Sequence, residues 1–262
     1  MDPLIRGPCG PGRTGAGIDA VLERMHRLLA PMEAAGDPKR FFLSTYTRTT
    51  AAVRDELAAG TFRDPEWVER WDVAFAEHYL DALEAHGRGD PAPLPWQAAF
   101  DAGDVPPLRH VLLDMNAHIN FDLPQALLAV ISSAELDDPA LVHWRHVDHR
   151  HIDTVLASRV GAEDDRLASL GTASLSDRVL SPLNRLGTKR FLRESRRKVW
   201  ANAMVLDRAR RRGPFALADG LDQLAHLCAD KVEQLTAPGP VILKLAVRGF
   251  GVRLPGTDQR WP

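Results

Sequence analysis

Residues 107–121, PLRHVLLDMNAHINF, constrain the fold of this chain more than any other stretch. At about 100° per residue, Leu108, Val111, Leu112, Met115 and Ile119 form one stripe of a helix, while Leu113, Ala117 and Phe121 fall on the other side. A helix that is apolar nearly all round has to be enclosed by other helices, because no single packed face hides both sides. The same segment carries His110, Asp114 and His118 at i, i+4 and i+8, with Asn116 and Asn120 beside them. A row of ionisable groups therefore runs into the interior, where a charge must be paired, bound to a metal or neutralised.

The rest of the chain supplies the enclosing helices. Val21, Leu22, Met25, Leu28, Leu29 and Met32 space as one helical face, Phe42, Tyr46, Thr49 and Val53 as a second, and Val68, Trp71, Phe75, Tyr79 and Ala82 as a third. Asp-Pro recurs at 37–38, 64–65 and 138–139, a pairing in which Asp caps free N–H groups and Pro fits the first turn. A glycine-bearing linker is expected at 161–189, then a basic helix at 189–211 and helical patterns near 217–236 and 241–248. No series of alternating strands occurs; VILKLAVRGFGVRL is ambiguous and is read as helical. The expectation is an all-α chain with a flexible Pro/Gly-rich leader at 1–17. Residues 18–262 then form a single domain of roughly eight to ten helices packed around a buried central helix at 107–120.

Composition narrows the function classes. Net charge is −2 with 26% charged residues, which points to neither nucleic acid nor an anionic surface. The two cysteines, Cys9 and Cys228, do not suggest a disulfide framework. The leader lacks an apolar core and no run approaches the ~20 apolar residues of a membrane span. A cytoplasmic protein is expected; its oligomeric state is left open. The sequence contains no GxSxG, Walker loop or dinucleotide fingerprint. The arginines from Arg193 to Arg212 read as a solvated basic face.

Several helices direct polar groups inward. In HWRHVDHRHIDTVL, the rotation places Trp144, Val147, Asp148, His151, Ile152 and Val155 on the apolar side, and His143, His146, His149 and Asp153 in solvent. Asp72 lies among Val68, Trp71, Phe75 and Tyr79, and Tyr46 and Thr49 also face inward. Asp122 in DLPQ reads as an N-cap, with Gln125 completing a capping box. The expected site has Asp114, His118, Asp72 and Asp148 as catalytic groups, lined by Tyr46, Thr49, Asn116, Asn120, Phe75 and Tyr79. Helices that each donate imidazoles and carboxylates can hold a divalent metal such as Zn or Fe, with His110, Asp114, His118 and His151 as ligands. No HExxH occurs, so the cofactor is left unassigned. The reading is an enzyme acting on a small, largely apolar organic molecule by metal-assisted hydrolysis or oxidation, or by metal-free acid–base chemistry. The alternative is a non-catalytic ligand-binding or interaction protein whose polar network fixes helix register.

FLSTYTRTTAAV, WDVAFAEHYL, MNAHINFDLPQAL, VDHRHIDTVL and WANAMVL together make the chain resemble the DUF5995 family of uncharacterised bacterial proteins, over residues 38–250. NAHINFDLP is the most specific part. The resemblance implies one helical domain with this motif near its centre and supplies no catalytic assignment. His149 stands where similar members carry an aromatic residue, and Asp153 where they carry Asn.

Overall fold

A computed structural model of the chain describes residues 16–170, 181–237, 239 and 249–257, with backbone alone at 16, 153, 156–170, 181–193, 195 and 196. The described elements are all helical. They are α1 (Ala16–Ala35), α2 (Arg40–Ala58), α3 (Pro65–Gly87), α4 (Leu94–Phe100), α5 (Pro107–Asn116), a π-helical segment (Ala117–Asp122), α6 (Leu123–Val130), α7 (Ser133–Leu136), α8 (Pro139–Leu170), α9 (Ser181–Arg212) and α10 (Pro214–Thr236). Residues 1–15 of the leader and the pattern at 241–248 lie outside the described residues, as does 171–180; Ala16 and Gly17, expected in the leader, begin α1. The expected linker at 161–189 is a correction: α8 continues to Leu170 and α9 begins at Ser181. Gly161 and Gly187 did not outweigh the helix-forming residues around them, and Gly171 lies outside the described residues.

The Asp-Pro signals act as start points. Asp64 accepts from the Trp67 N–H at 2.9 Å and Asp138 from those of Ala140 and Leu141 at 2.9 and 3.2 Å. Asp37 accepts from Lys39 N–H, and α2 begins one residue later.

α5, the π segment and α6 run as one rod from Pro107 to Val130, since Asn116, Ala117, Asp122 and Leu123 all keep right-handed helical dihedrals. Helices α2, α3, α4, α9 and α10 pack around it, so the enclosed central helix expected from its composition is present and runs ten residues further than expected. Pro124 gives a physical reason for the wider winding. Inside a helix, proline offers no N–H to the carbonyl four residues back and its ring crowds that carbonyl. The shift to i→i+5 bonding over 117–122 accommodates the proline without a break.

The core lines both sides of the rod. Ile119, Leu123, Ala126 and Leu127 pack with Trp67, Val68 and Trp71 of α3 and with Val199, Trp200 and Ala203 of α9. Val111 and Ala117 join Phe42, Tyr46, Tyr79 and Trp96. Leu112 and Leu113 meet Val232 and Leu235 of α10 and Phe250, which belongs to an irregular strap at 249–257.

Candidate functional site

The π segment carries two side chains that an α-helical rod would direct differently. His118 Nδ1 lies 3.1 Å from Asp122 Oδ2, and both residues are almost wholly buried. Trp96 of α4 donates its indole N–H to both Asp122 oxygens, at 3.1 and 3.0 Å. Burial pushes the Asp122 carboxyl well above the usual carboxylate range, and the Trp96 bond acts in the opposite direction.

An aromatic sleeve surrounds the imidazole. Phe75 stacks on it with centroids 3.5 Å apart and planes 8° from parallel. Tyr46 meets it edge-on at 4.4 Å, with Phe42 at 5.7 Å, Tyr79 at 5.9 Å and Trp96 at 6.1 Å. The ring is thereby fixed in plane and orientation, as acid–base chemistry requires of an imidazole.

Asp114 precedes His118 by one turn and is buried with no hydrogen-bond partner among the described residues. Burial raises its carboxyl well above 3.8; Lys39 opposes the shift and Asp37 adds to it. The Tyr79 hydroxyl is also buried without a hydrogen-bond partner, and burial, with the nearby Asp114, raises its phenol far above the ordinary range. Burial likewise raises the Tyr46 phenol, with Asp72 and Asp122 adding to the shift. His110, beside Phe41, is held towards its neutral form by burial. The interior thus holds Asp114, His118, Asp122, Tyr46 and Tyr79 in a largely aromatic setting, with Asp72 close enough to act on Tyr46.

Residues 18–238 match the DUF5995 family, a family of unknown function. The chain belongs to the DUF5995 family. No curated protein and no solved structure matches it. Within this DUF5995 protein, NAHINFDLP is the π segment with its flanking turns, so the motif that carries the resemblance also carries the His118–Asp122 pair.

Other residues expected at the site are placed elsewhere. Asn116 donates to the Cys228 carbonyl at 2.9 Å, and Asn120 donates to Asn116 Oδ1 at 2.9 Å and to the Phe250 carbonyl at 3.1 Å; both face α10 and the strap. Thr49 is half-buried and donates to the Thr45 carbonyl. Asp148 accepts from the backbone N–H groups of Arg63 and Asp64 at 2.9 and 3.0 Å, which pins the turn before α3. His151 is half-exposed and lies 3.1 Å from Thr61 Oγ1 and 3.4 Å from Glu56 Oε2. The expected ligands His110, Asp114, His118 and His151 are not assembled: no group of three or more His, Cys, Asp or Glu among the described residues could hold a metal ion.

Three sequence expectations are corrected. Asp122 makes no cap bond, and Gln125 donates to the Phe121 carbonyl instead of closing a capping box. The phase of α8 is turned by about one residue position. Trp144 is 43% exposed under Arg63, whose guanidinium lies 4.0 Å from its ring centroid, while Arg145 is buried over Trp67. His149 is buried and its Nδ1 accepts from Trp200 Nε1 at 3.0 Å; His146 stacks on Trp200 at 4.0 Å. Only His143 of the three histidines is exposed, and the Asp153 side chain lies outside the described residues. The segment has almost no apolar asymmetry, so the size of Trp144 dominated the rotation. The basic face also needs revision, since Arg210 donates to the Leu128 and Ile131 carbonyls and pairs with buried Asp207.

Proposed function

We propose that this protein is an acid–base catalyst acting on a small, largely apolar organic molecule in the interior lined by Phe75, Tyr46, Tyr79 and the central rod. His118 is the proton-transferring group and Asp122 the residue that orients it and balances its charge. Burial raises the Asp114 carboxyl well above its ordinary range, and in its protonated form it is suited to donate a hydrogen bond to a substrate oxygen. The observation that carries the reading is the His118–Asp122 bond inside a π-helical segment, a rare winding that recurs at functional positions. A carboxylate bonded to Nδ1 fixes the tautomer and leaves proton exchange to Nε2. A metal-free mechanism is preferred because Asp114 and His118 gain no third ligand among the described residues.

A second reading has its own support. Asn116 and Asp148 spend their side chains on backbone groups, which is what a network fixing helix positions would do. In that case the protein binds a ligand or a partner without catalysis.

The test pairs thermal unfolding with mass spectrometry of small molecules retained by purified wild type, His118→Ala and Asp114→Asn. The catalytic reading expects a retained or consumed small molecule in the wild type, lost from both variants with little loss of stability. A His118→Ala variant that loses about 1–3 kcal/mol, with nothing retained or consumed by the wild type, would make the network structural.

A further inference from the structure

Side chains of other elements hold the main chain of the strap at 249–257. Lys231 donates to the Gly249 carbonyl at 3.1 Å, Asn120 to that of Phe250 at 3.1 Å, Lys198 to that of Gly251 at 2.8 Å and Asn202 to that of Val252 at 3.2 Å. Asn202 also accepts from the Leu254 N–H at 2.9 Å, so one amide grips the chain at both donor and acceptor. Phe250, Val252 and Leu254 are buried, while Arg253 between the last two is exposed. Main-chain contacts from fixed side chains, combined with alternate apolar side chains in pockets, are how protein grooves take up peptides. Glycines mark the two ends: Gly249 at φ 71° and Gly256 at φ 81°. A Cβ on Gly249 would come within 2.6 Å of Glu194 Oε1.

We infer that this strap is a peptide ligand bound in cis, and that its occupancy of the groove sets the geometry of the π segment. The link is Asn120, which stands midway between His118 and Asp122 and binds the Phe250 carbonyl. Phe121, the next residue, packs in the same cluster as Val252 and Leu254. Asn120 is thus a positioning residue: with the strap seated, the segment is anchored on the side opposite the aromatic sleeve. With the strap released, Asn120 loses that acceptor and Phe121 loses part of its cover. Whether His118 turns over a substrate is a separate matter, because the inference stands on the strap's contacts alone.

The experiment uses the full chain with histidine-labelled NMR and amide hydrogen exchange. Asn202→Ala removes the two-point grip and should raise exchange of amides 250–254 by at least about tenfold. In the same sample, exchange at 117–122 should rise and the His118 ring signals should move. Faster strap exchange with unchanged His118 signals and unchanged 117–122 amides overturns the inference. If Asn202→Ala fails to fold, Arg208→Gln frees only the end held through the Gly256 carbonyl at 2.9 Å and is read the same way. Loss of a retained small molecule in His118→Ala tests the proposed chemistry and has no bearing on these signals.

Discussion

The indole N–H of Trp96 bridges both carboxyl oxygens of Asp122, at 3.1 and 3.0 Å, and so joins the short helix α4 to the centre of the rod. Trp96→Phe keeps an aromatic ring among Tyr79, Phe100 and Phe42 but removes the donor. The variant should lose about 1–3 kcal/mol, the cost of leaving a buried acceptor without its donor. Urea unfolding of wild type and variant measures it. A loss under 0.5 kcal/mol, roughly the scale of a neutral surface change, would mean that the bond contributes little.

Asp122→Ser separates the two roles this residue could have. Serine is a good N-cap, so a capping Asp122 would tolerate the change with a cost of a few tenths of a kcal/mol. In the structure, serine lacks the carboxyl that accepts from the Trp96 N–H and reaches His118 Nδ1, and the expected loss is about 1–3 kcal/mol. Gln125→Ala should be mild, since only its bond to the Phe121 carbonyl disappears.

Asp114→Asn should stabilise the protein at neutral pH. The folded carboxyl titrates well above 3.8, so the unfolded chain releases its proton first as pH rises, and the stability this group holds at low pH is lost on the way up. Asparagine does not ionise and removes that decline. A gain of about 1 kcal/mol, or roughly 2–4 °C in Tm for a domain of this size, is expected at pH 7. Scans from pH 4 to 8 that run parallel for both proteins would contradict it.

His146 gives the opposite slope on the acid side. Burial, aided by Arg150 and His143, lowers its pKa from 6.5 to about 4. The unfolded chain therefore takes up the proton first, and stability that is complete above 6.5 falls as pH drops towards 4. The ring is only half-buried, so after solvent screening the loss is on the order of 1–2 kcal/mol. His146→Phe keeps the stack on Trp200 and should flatten this limb; an unchanged slope would assign it to other groups.

Strong periodicity was legible before the structure. The row His110, Asp114, His118 and the faces through Phe42, Tyr46, Phe75 and Tyr79 lie inside as their spacing required, because each belongs to a helix with a marked apolar stripe. The α8 histidines were misplaced because VHWRHVDHRHID carries almost no such stripe, and the contacts that decide its phase, Arg145 over Trp67 and His149 with Trp200, come from other helices. Asp122 was hidden by a local signal. DLPQ has the composition of a helix start, and only the tertiary enclosure that carries the rod through Pro124 turns Asp122 towards His118. The spacing of four between the two residues was the available clue.

The wider winding at Ala117–Asp122 also restricts how this chain can change in length. It takes up about one residue more per turn than an α-helix does, so the same residues wound as a plain α-helix would leave α6 turned by about 100°. Leu123, Ala126 and Leu127 would then leave the core shared with α3 and α9. Changes of length are therefore expected to be tolerated in the connections, such as 88–93 and 101–106. Between Pro107 and Val130 the residue count itself is a property of the fold.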